Sequence, residues 1–233
     1  MAFAELNSCI SRLLIFKNSA MKISSIRKDY FKDRLSEHEA GFDPLVLFGK
    51  WLDDAVKSGV CEPTAMVLST ISHQGYPSSR VVLLKGLDNG RLLFYTNFTS
   101  NKGRHLSENP RASLLFFWGE LERQVRFEGN VTQLPAKDSD EYFLSRPYES
   151  RIGALVSRQS TVIADREELD KEFARLFDRM KANQDEIRRP EYWGGYALDP
   201  VSVEFWQGRA NRLHDRLRYN KAKDNWIRER LSP

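Results

Sequence analysis

Apolar residues recur at helical spacing through Leu45, Phe48, Leu52, Ala55 and Val56. Asp43 suits the N-cap of that helix, Pro44 its first turn, and Gly59 its end. The pattern predicts an amphipathic helix with one face on a core. The period then shortens to two. Residues 64–71, 79–84, 91–96, 111–118 and 122–131 read as strands, joined by turn sequences such as His73-Gln74-Gly75 and Asp88-Asn89-Gly90. A short helix capped by Ser100 interrupts them over residues 100–109. Asp165 starts the longest helix, with Glu168 at capping-box spacing, and Leu169, Phe173, Leu176, Phe177 and Met180 form a stripe for core or interface. Two strands, 193–198 and 201–206, follow Pro190, and a last one covers 226–230. Consecutive strands with tight turns favour antiparallel pairing in a sandwich or barrel. The expected class is mostly β with flanking helices (α+β), in one domain over residues 21–233.

Composition supports a large core: 41% of the 233 residues are apolar, including 14 Phe, 8 Tyr and 5 Trp. No stretch approaches the roughly 20 apolar residues of a membrane helix. With 36 basic and 32 acidic residues the net charge is only +4, which argues against general nucleic-acid binding and leaves room for local phosphate pockets. Cys9 and Cys61 have no metal-ligand spacing. Cys61 reads as a structural thiol, and a reducing, cytoplasmic setting is expected. Residues 1–20 read either as a weak mitochondrial targeting leader or as a disordered extension.

No Walker loop, GxGxxG, HExxH or GxSxG is present, and four dispersed histidines give no metal site. The chemistry-bearing residues lie at strand ends. The segment FWQGRANRLHDR (205–216) follows an alternating run and packs three arginines, a histidine, an aspartate and an indole together. It is either a solvated loop or a site for an anion or flat ring. Arg80 and Lys85 bracket an apolar strand at odd separation, so one would reach a pocket from beyond the strand end; surface charge is the alternative. Lys102 sits at a helix start, where free N–H groups favour an anion. Tyr142, Arg146 and Ser150 can all donate to phosphate oxygens. Gln159-Ser160 suits a flavin edge or a phosphate.

Taken in order, these segments resemble the pyridoxine/pyridoxamine 5′-phosphate oxidase family. The resemblance runs from about Arg27 to Pro233. It is carried by RKDY (27–30), DPLVLFGKWLDDA (43–55), PTAMVLST (63–70), RVVLLK (80–85), FYTN (94–97), ERQVRFEG (122–129), YFLSRP (142–147), IGALVSRQS (152–160), WGGY (193–196), EFWQG, NRLHDR and the terminal RLSP. It implies an FMN-binding split β-barrel acting as a homodimer, with the flavin held by both subunits. It also implies oxidation of pyridoxine 5′-phosphate and pyridoxamine 5′-phosphate to pyridoxal 5′-phosphate, with O2 reduced to H2O2. By position, FMN contacts would be Arg80, Val81, Val82, Leu83, Leu84, Lys85, Tyr95, Thr96, Lys102, Gln124, Gln159, Ser160, Trp206 and Arg216. Lys85, Tyr142, Arg146 and Ser150 would meet the substrate phosphate. Arg212 and His214 would serve as catalytic residues at the substrate ring, and Arg27 and Tyr30 would close over it.

Asn101 stands where the family usually has an arginine on the FMN phosphate, which implies weaker FMN binding here. Arg151, where the family often has glutamine, either replaces part of that charge or lies at the surface. Two other functions compete: a non-catalytic FMN or pyridoxal phosphate carrier on the same scaffold, and a flavin oxidase acting on a phenazine precursor. Retention of Lys85, Tyr142, Arg146, Arg212 and His214 favours the oxidase.

Overall fold

The fold turns on one long strand with three neighbours. The computed structural model describes residues 29–183 and 186–233; Cys9, Met21, Arg27 and the 1–20 segment lie outside them. In chain order the elements are α1 (Glu37–Ala40), α2 (Pro44–Lys57), β1 (Ala65–Ile71), β2 (Pro77–Leu83), β3 (Gly86–Asp88), β4 (Arg91–Asn97), α3 (Asn101–Glu108), β5 (Arg111–Trp118) and β6 (Arg123–Gln133). After them come α4 (Ala136–Ser145), α5 (Tyr148–Val156), α6 (Arg166–Asn183), β7 (Trp193–Gln207), β8 (Asp215–Ala222) and β9 (Asn225–Leu231). The sheet runs β2-β1-β5-β6-β7-β4-β3, with β8 also on β7 and β9 on β8. All pairs are antiparallel.

Strand β7 pairs with β6 from Tyr196 to Gln207, while its other edge is divided. Residues 193–198 pair with β4 and residues 202–207 with β8. Two strands, 193–198 and 201–206, were expected here, on either side of Asp199-Pro200. The chain instead passes through a bulge: Gly129 pairs with Pro200 and Glu128 with Ser202, skipping Val201. Proline needs no ladder donor at such a corner. Gly129 is required there, because a Cβ would lie 2.2 Å from the Asp199 carbonyl oxygen. The sheet splits at this corner.

The alternation buries one face of the sheet. Leu68, Phe94, Leu114, Phe116, Val125, Phe127, Val203, Phe205, Leu217 and Tyr219 are fully buried. Helix α2 closes over them with Leu47, Phe48, Trp51 and Ala55. Its cap is as expected, with Asp43 Oδ1 accepting the Leu45 N–H at 2.8 Å. Ser100 caps α3, and Asp165 accepts the Glu168 N–H at 2.8 Å at the head of α6. The α6 stripe packs a second core with Phe143, Ile152 and Trp193, so Leu176, Phe173, Phe177 and Met180 serve packing within the chain.

The early strands form with ends within two residues of expectation. The short α1 and β3 went unread, and other features were missed or misread for physical reasons. Helices α4 and α5 each follow a proline that provides no side-chain cap, so the usual start signal is missing. Strand β8 hides its period under charge: Leu217 and Tyr219 are buried between Arg216, Arg218 and Asn220. Cys61 is exposed in a turn, not the structural thiol expected.

Candidate active site

A cavity of about 700 Å³ opens where β2 ends, β4 runs alongside, and α3, α4 and α5 present their ends. That size suits a cofactor-scale ligand. Arg80, Val81, Val82, Leu83, Lys85, Tyr95, Thr96, Lys102, Tyr142, Arg146, Ser150 and Gln159 line it. Strand β2 stops at Leu83, which lets Arg80 and Lys85 meet in one cavity despite their odd spacing. Of the 80–85 run only Leu84 turns away: its side chain is buried in the core. Leu84 can therefore meet a ligand through its main chain alone.

The charge of this cavity is one-sided. Its lining has four cations and no carboxylate. Among the described residues none of the four has an ion-pair partner, although Arg123, Arg126, Arg216 and Arg230 elsewhere all do. Arg80 donates only to neutral oxygens: Leu68 O at 3.1 Å, Thr70 Oγ1 at 2.8 Å and Ser78 Oγ at 2.6 Å. Lys102 Nζ donates to Gln159 Oε1 at 2.8 Å. Arg146 lies 4.7 Å over the Trp193 ring, with Nη1 buried and without a partner. Burial lowers the pKa of Arg80, Lys102 and Arg146, and the charge of Arg80 adds to the effect on Lys102. Partly buried cations without counter-ions carry a desolvation cost, and an entering anion relieves it.

One wall is aromatic. Tyr95 stacks on Tyr142 at 3.8 Å and on Trp193 at 5.7 Å. Burial raises the pKa of both tyrosines, so their hydroxyls stay protonated and able to donate. Ser160 does not line the cavity but adjoins it: at φ 70° its Oγ accepts the Asn101 N–H at 3.3 Å.

The remaining site residues gather elsewhere on the chain. Gln124 pairs with Trp206, and Trp206 with Arg216, so the three form one row across β6, β7 and β8. They occupy the face opposite the buried Val125, Phe205 and Leu217. Arg216 Nε is 2.8 Å from Glu204, whose other oxygen takes Arg126 Nη2 at 2.7 Å. His214 lies 4.7 Å from Trp206, ring to ring, and Tyr30 meets both rings edge-on at 5.7 Å. The His214 Nδ1 accepts the Arg209 N–H at 3.1 Å, which leaves its proton on Nε2. Burial, then the charge of Arg212, lowers the His214 pKa and favours the neutral ring. Asn211 and Arg212 both adopt positive φ, at 55° and 61°, in the short turn before β8. None of this second set lines the cavity.

Residues 52–179 match the family model described as pyridoxamine 5′-phosphate oxidase, and residues 193–233 match the pyridoxine 5′-phosphate oxidase C-terminal dimerisation region. The chain belongs to the pyridoxine/pyridoxamine 5′-phosphate oxidase family. A protein of that name from Leptospira biflexa is 48% identical over 91% of this chain and 99% of its own length. One from Bacteroides thetaiotaomicron is 50% identical, with the same coverages of 91% and 99%. Among solved structures, PhzG of Burkholderia lata in complex with tetrahydrophenazine-1-carboxylic acid superposes with TM-score 0.80 at 33% identity, over 86% of this chain and 98% of that one.

The two sets of site residues in this family member also divide by region. Every cavity residue except Trp193 lies, with Gln124, in the first matched region, whereas Trp193, Trp206, Arg212, His214 and Arg216 lie in the dimerisation region. Sequence reading passed over the Trp193 side of the aromatic wall, for which WGGY was the available signal. It also passed over Glu122 and Arg123, which lay in plain view inside ERQVRFEG. Among the described residues no cluster of His, Cys, Asp or Glu could hold a metal, and no helix is long and apolar enough to cross a membrane.

Proposed function

We propose that this member of the family oxidises pyridoxine 5′-phosphate and pyridoxamine 5′-phosphate to pyridoxal 5′-phosphate, using FMN and reducing O2 to H2O2. The observation that carries the reading is the carboxylate-free cavity with four cations and an unpartnered guanidinium nitrogen. Both proposed ligands are phosphate monoesters, which this donor set fits. In this reading Arg80, Lys85, Lys102 and the Gln159-Ser160 pair hold FMN. Tyr142, Arg146 and Ser150, with Lys85, hold the substrate phosphate. Bound there, FMN supplies the hydride acceptor and the route of electrons to O2. Arg212 orients the substrate ring, and neutral His214 offers its Nε2 proton as a hydrogen-bond donor. Because Gln124, Trp206, Arg212, His214 and Arg216 stand apart from the cavity, the complete site needs two copies of the chain. The dimerisation match supports a homodimer. The carrier alternative gives no reason to retain Arg212 and His214, and the phosphate donors Tyr142, Arg146 and Ser150 argue against a phosphate-free phenazine substrate.

The deciding experiment is spectroscopic. The purified protein is expected to show a flavin spectrum that bleaches when pyridoxine 5′-phosphate is added without oxygen and returns in air. Flavin-loaded protein that never bleaches would exclude the oxidase reading.

Asn101 lies in the first turn of α3, where its Oδ1 accepts from Arg104 and its N–H reaches Ser160. Arg151 does not line the cavity and packs 5.6 Å over the Tyr148 ring, which argues against its replacing the charge missing at Asn101. Asn101→Arg is expected to tighten FMN binding by about ten- to a hundredfold, the range of one charge-assisted bond. Quenching of FMN fluorescence on titration into the apoprotein measures this. An unchanged Kd would rule out a phosphate contact at this position.

A further inference from the structure

We infer that Glu122 and Arg123 are positioning residues that clamp segment 29–35 and thereby hold Tyr30 against Trp206 and His214. The inference rests on the functional reading above. Glu122 is buried at φ 55°, a backbone conformation that costs a non-glycine residue free energy. Its carboxylate accepts two main-chain N–H groups, Phe31 at 2.9 Å and Lys32 at 3.1 Å. Its carbonyl oxygen accepts the Gly208 N–H at 2.7 Å. One residue thus ties the incoming segment to the end of β7.

Arg123 is the second arm. Its side chain is 10% exposed and bonds Asp33 at 2.6 Å, Asp54 at 2.8 Å and Gln207 Oε1 at 2.9 Å. Its guanidinium lies 4.5 Å over the Trp51 ring. Helix α2, strand β7 and the incoming segment therefore meet on one cation. A third tie closes the far end: Leu35 donates to Asp215 at 3.1 Å and accepts from Arg230 at 2.9 Å. Asp215 thus has a role beside His214.

The segment so fixed delivers one ring to the candidate site. A Cβ at Gly208 would lie 2.8 Å from Tyr30 Cγ, so glycine is what leaves room for that ring. Main-chain and charged anchors on both sides of Phe31 hold a short stretch far more narrowly than Tyr30 packing alone would. Positioned side chains raise effective concentration at a site only when their supports are rigid.

The test compares holoenzyme with Asp33→Ala, Glu122→Gln and Gly208→Ala. Asp33 is half exposed and its loss leaves Arg123 with Asp54, so this variant should fold even if Glu122→Gln does not. In both clamp variants, hydrogen exchange of the Phe31 and Lys32 amides is expected to rise at least about tenfold while β6 stays protected. KM for pyridoxine 5′-phosphate is expected to rise about five- to twentyfold with kcat and the flavin spectrum little changed. Gly208→Ala, which displaces Tyr30 and spares the clamp, should reproduce the KM effect with β6 protection and the clamp ion pairs intact. Unchanged exchange in the clamp variants overturns the clamp. Faster exchange with unchanged KM overturns the positioning role. A wild-type protein that fails to bleach refutes the functional reading instead, and the exchange arm still decides the clamp.

Discussion

Arg146→Met is expected to lower kcat/KM for pyridoxine 5′-phosphate by about ten- to a hundredfold, nearly all of it in KM. Arg146 sits over Trp193 with Nη1 buried and unpartnered, so its fork is held ready for an anion that the protein itself does not supply. A charge-assisted bond to phosphate contributes about 1.5–3 kcal/mol, which sets the range. The phosphate is remote from the reacting carbon, and its binding energy is the same in ground and transition states, so KM moves and kcat does not. Methionine fills the volume and keeps the contact with Trp193. Removing a half-buried uncompensated cation also relieves a desolvation cost, so the melting temperature of the cofactor-free variant should not fall. Steady-state kinetics with pyridoxine 5′-phosphate and with unphosphorylated pyridoxine separate the outcomes. Equal losses on both substrates would mean that Arg146 does not read the phosphate.

The second large effect is a recovery. Arg146→Met and Arg216→Met subunits, each poorly active alone at substrate far below KM, are expected to regain about a quarter of wild-type activity after subunit exchange. Arg146 belongs to the cavity and Arg216 to the β6–β8 row, and one chain does not bring the two sets together. In a two-fold dimer each site would take the cavity from one subunit and the row from its partner. Random exchange makes half the dimers mixed, and each mixed dimer holds one intact site and one doubly damaged site, which gives about a quarter. Arg216→Met leaves Glu204 its pair with Arg126, so the variant should fold. Mixing through mild denaturant, followed by assay, reads the result. No recovery from verified mixed dimers would place both residues in the same subunit's site.

Much of this protein was legible from its sequence because the signals are local. The 3.6 period of Leu45 to Val56 and the caps at Asp43, Ser100 and Asp165 act within a turn or two, and those helices formed, although α2 buries Leu47 and Trp51 beside Phe48 and Ala55 and leaves Val56 exposed. Period-two alternation placed six strands closely. Where local signals mislead, the misreadings have physical causes. Two strands were expected on either side of Pro200, but a bulge opposite Gly129 lets β7 continue. The charges of Asp215–Ala222 mask Leu217 and Tyr219, whose burial defines β8. The order of its motifs carried the family, because ordered motifs over most of a chain do not depend on knowing the fold.

The sequence by itself determined which side chains are candidates for the site and what ligand chemistry they suit: arginine, lysine, tyrosine and serine for phosphate. Only the tertiary structure decided how they are apportioned. Register across three strands put Gln124, Trp206 and Arg216 in one row, and the end of β2 meeting the ends of α3 and α4 put Arg80, Lys85, Lys102 and Arg146 in one carboxylate-free cavity. Glu122 reaches Phe31 across 91 positions, and Arg123 reaches Gln207 across 84. Contacts at such separations are set by how the sheet closes, which no periodicity along the chain encodes.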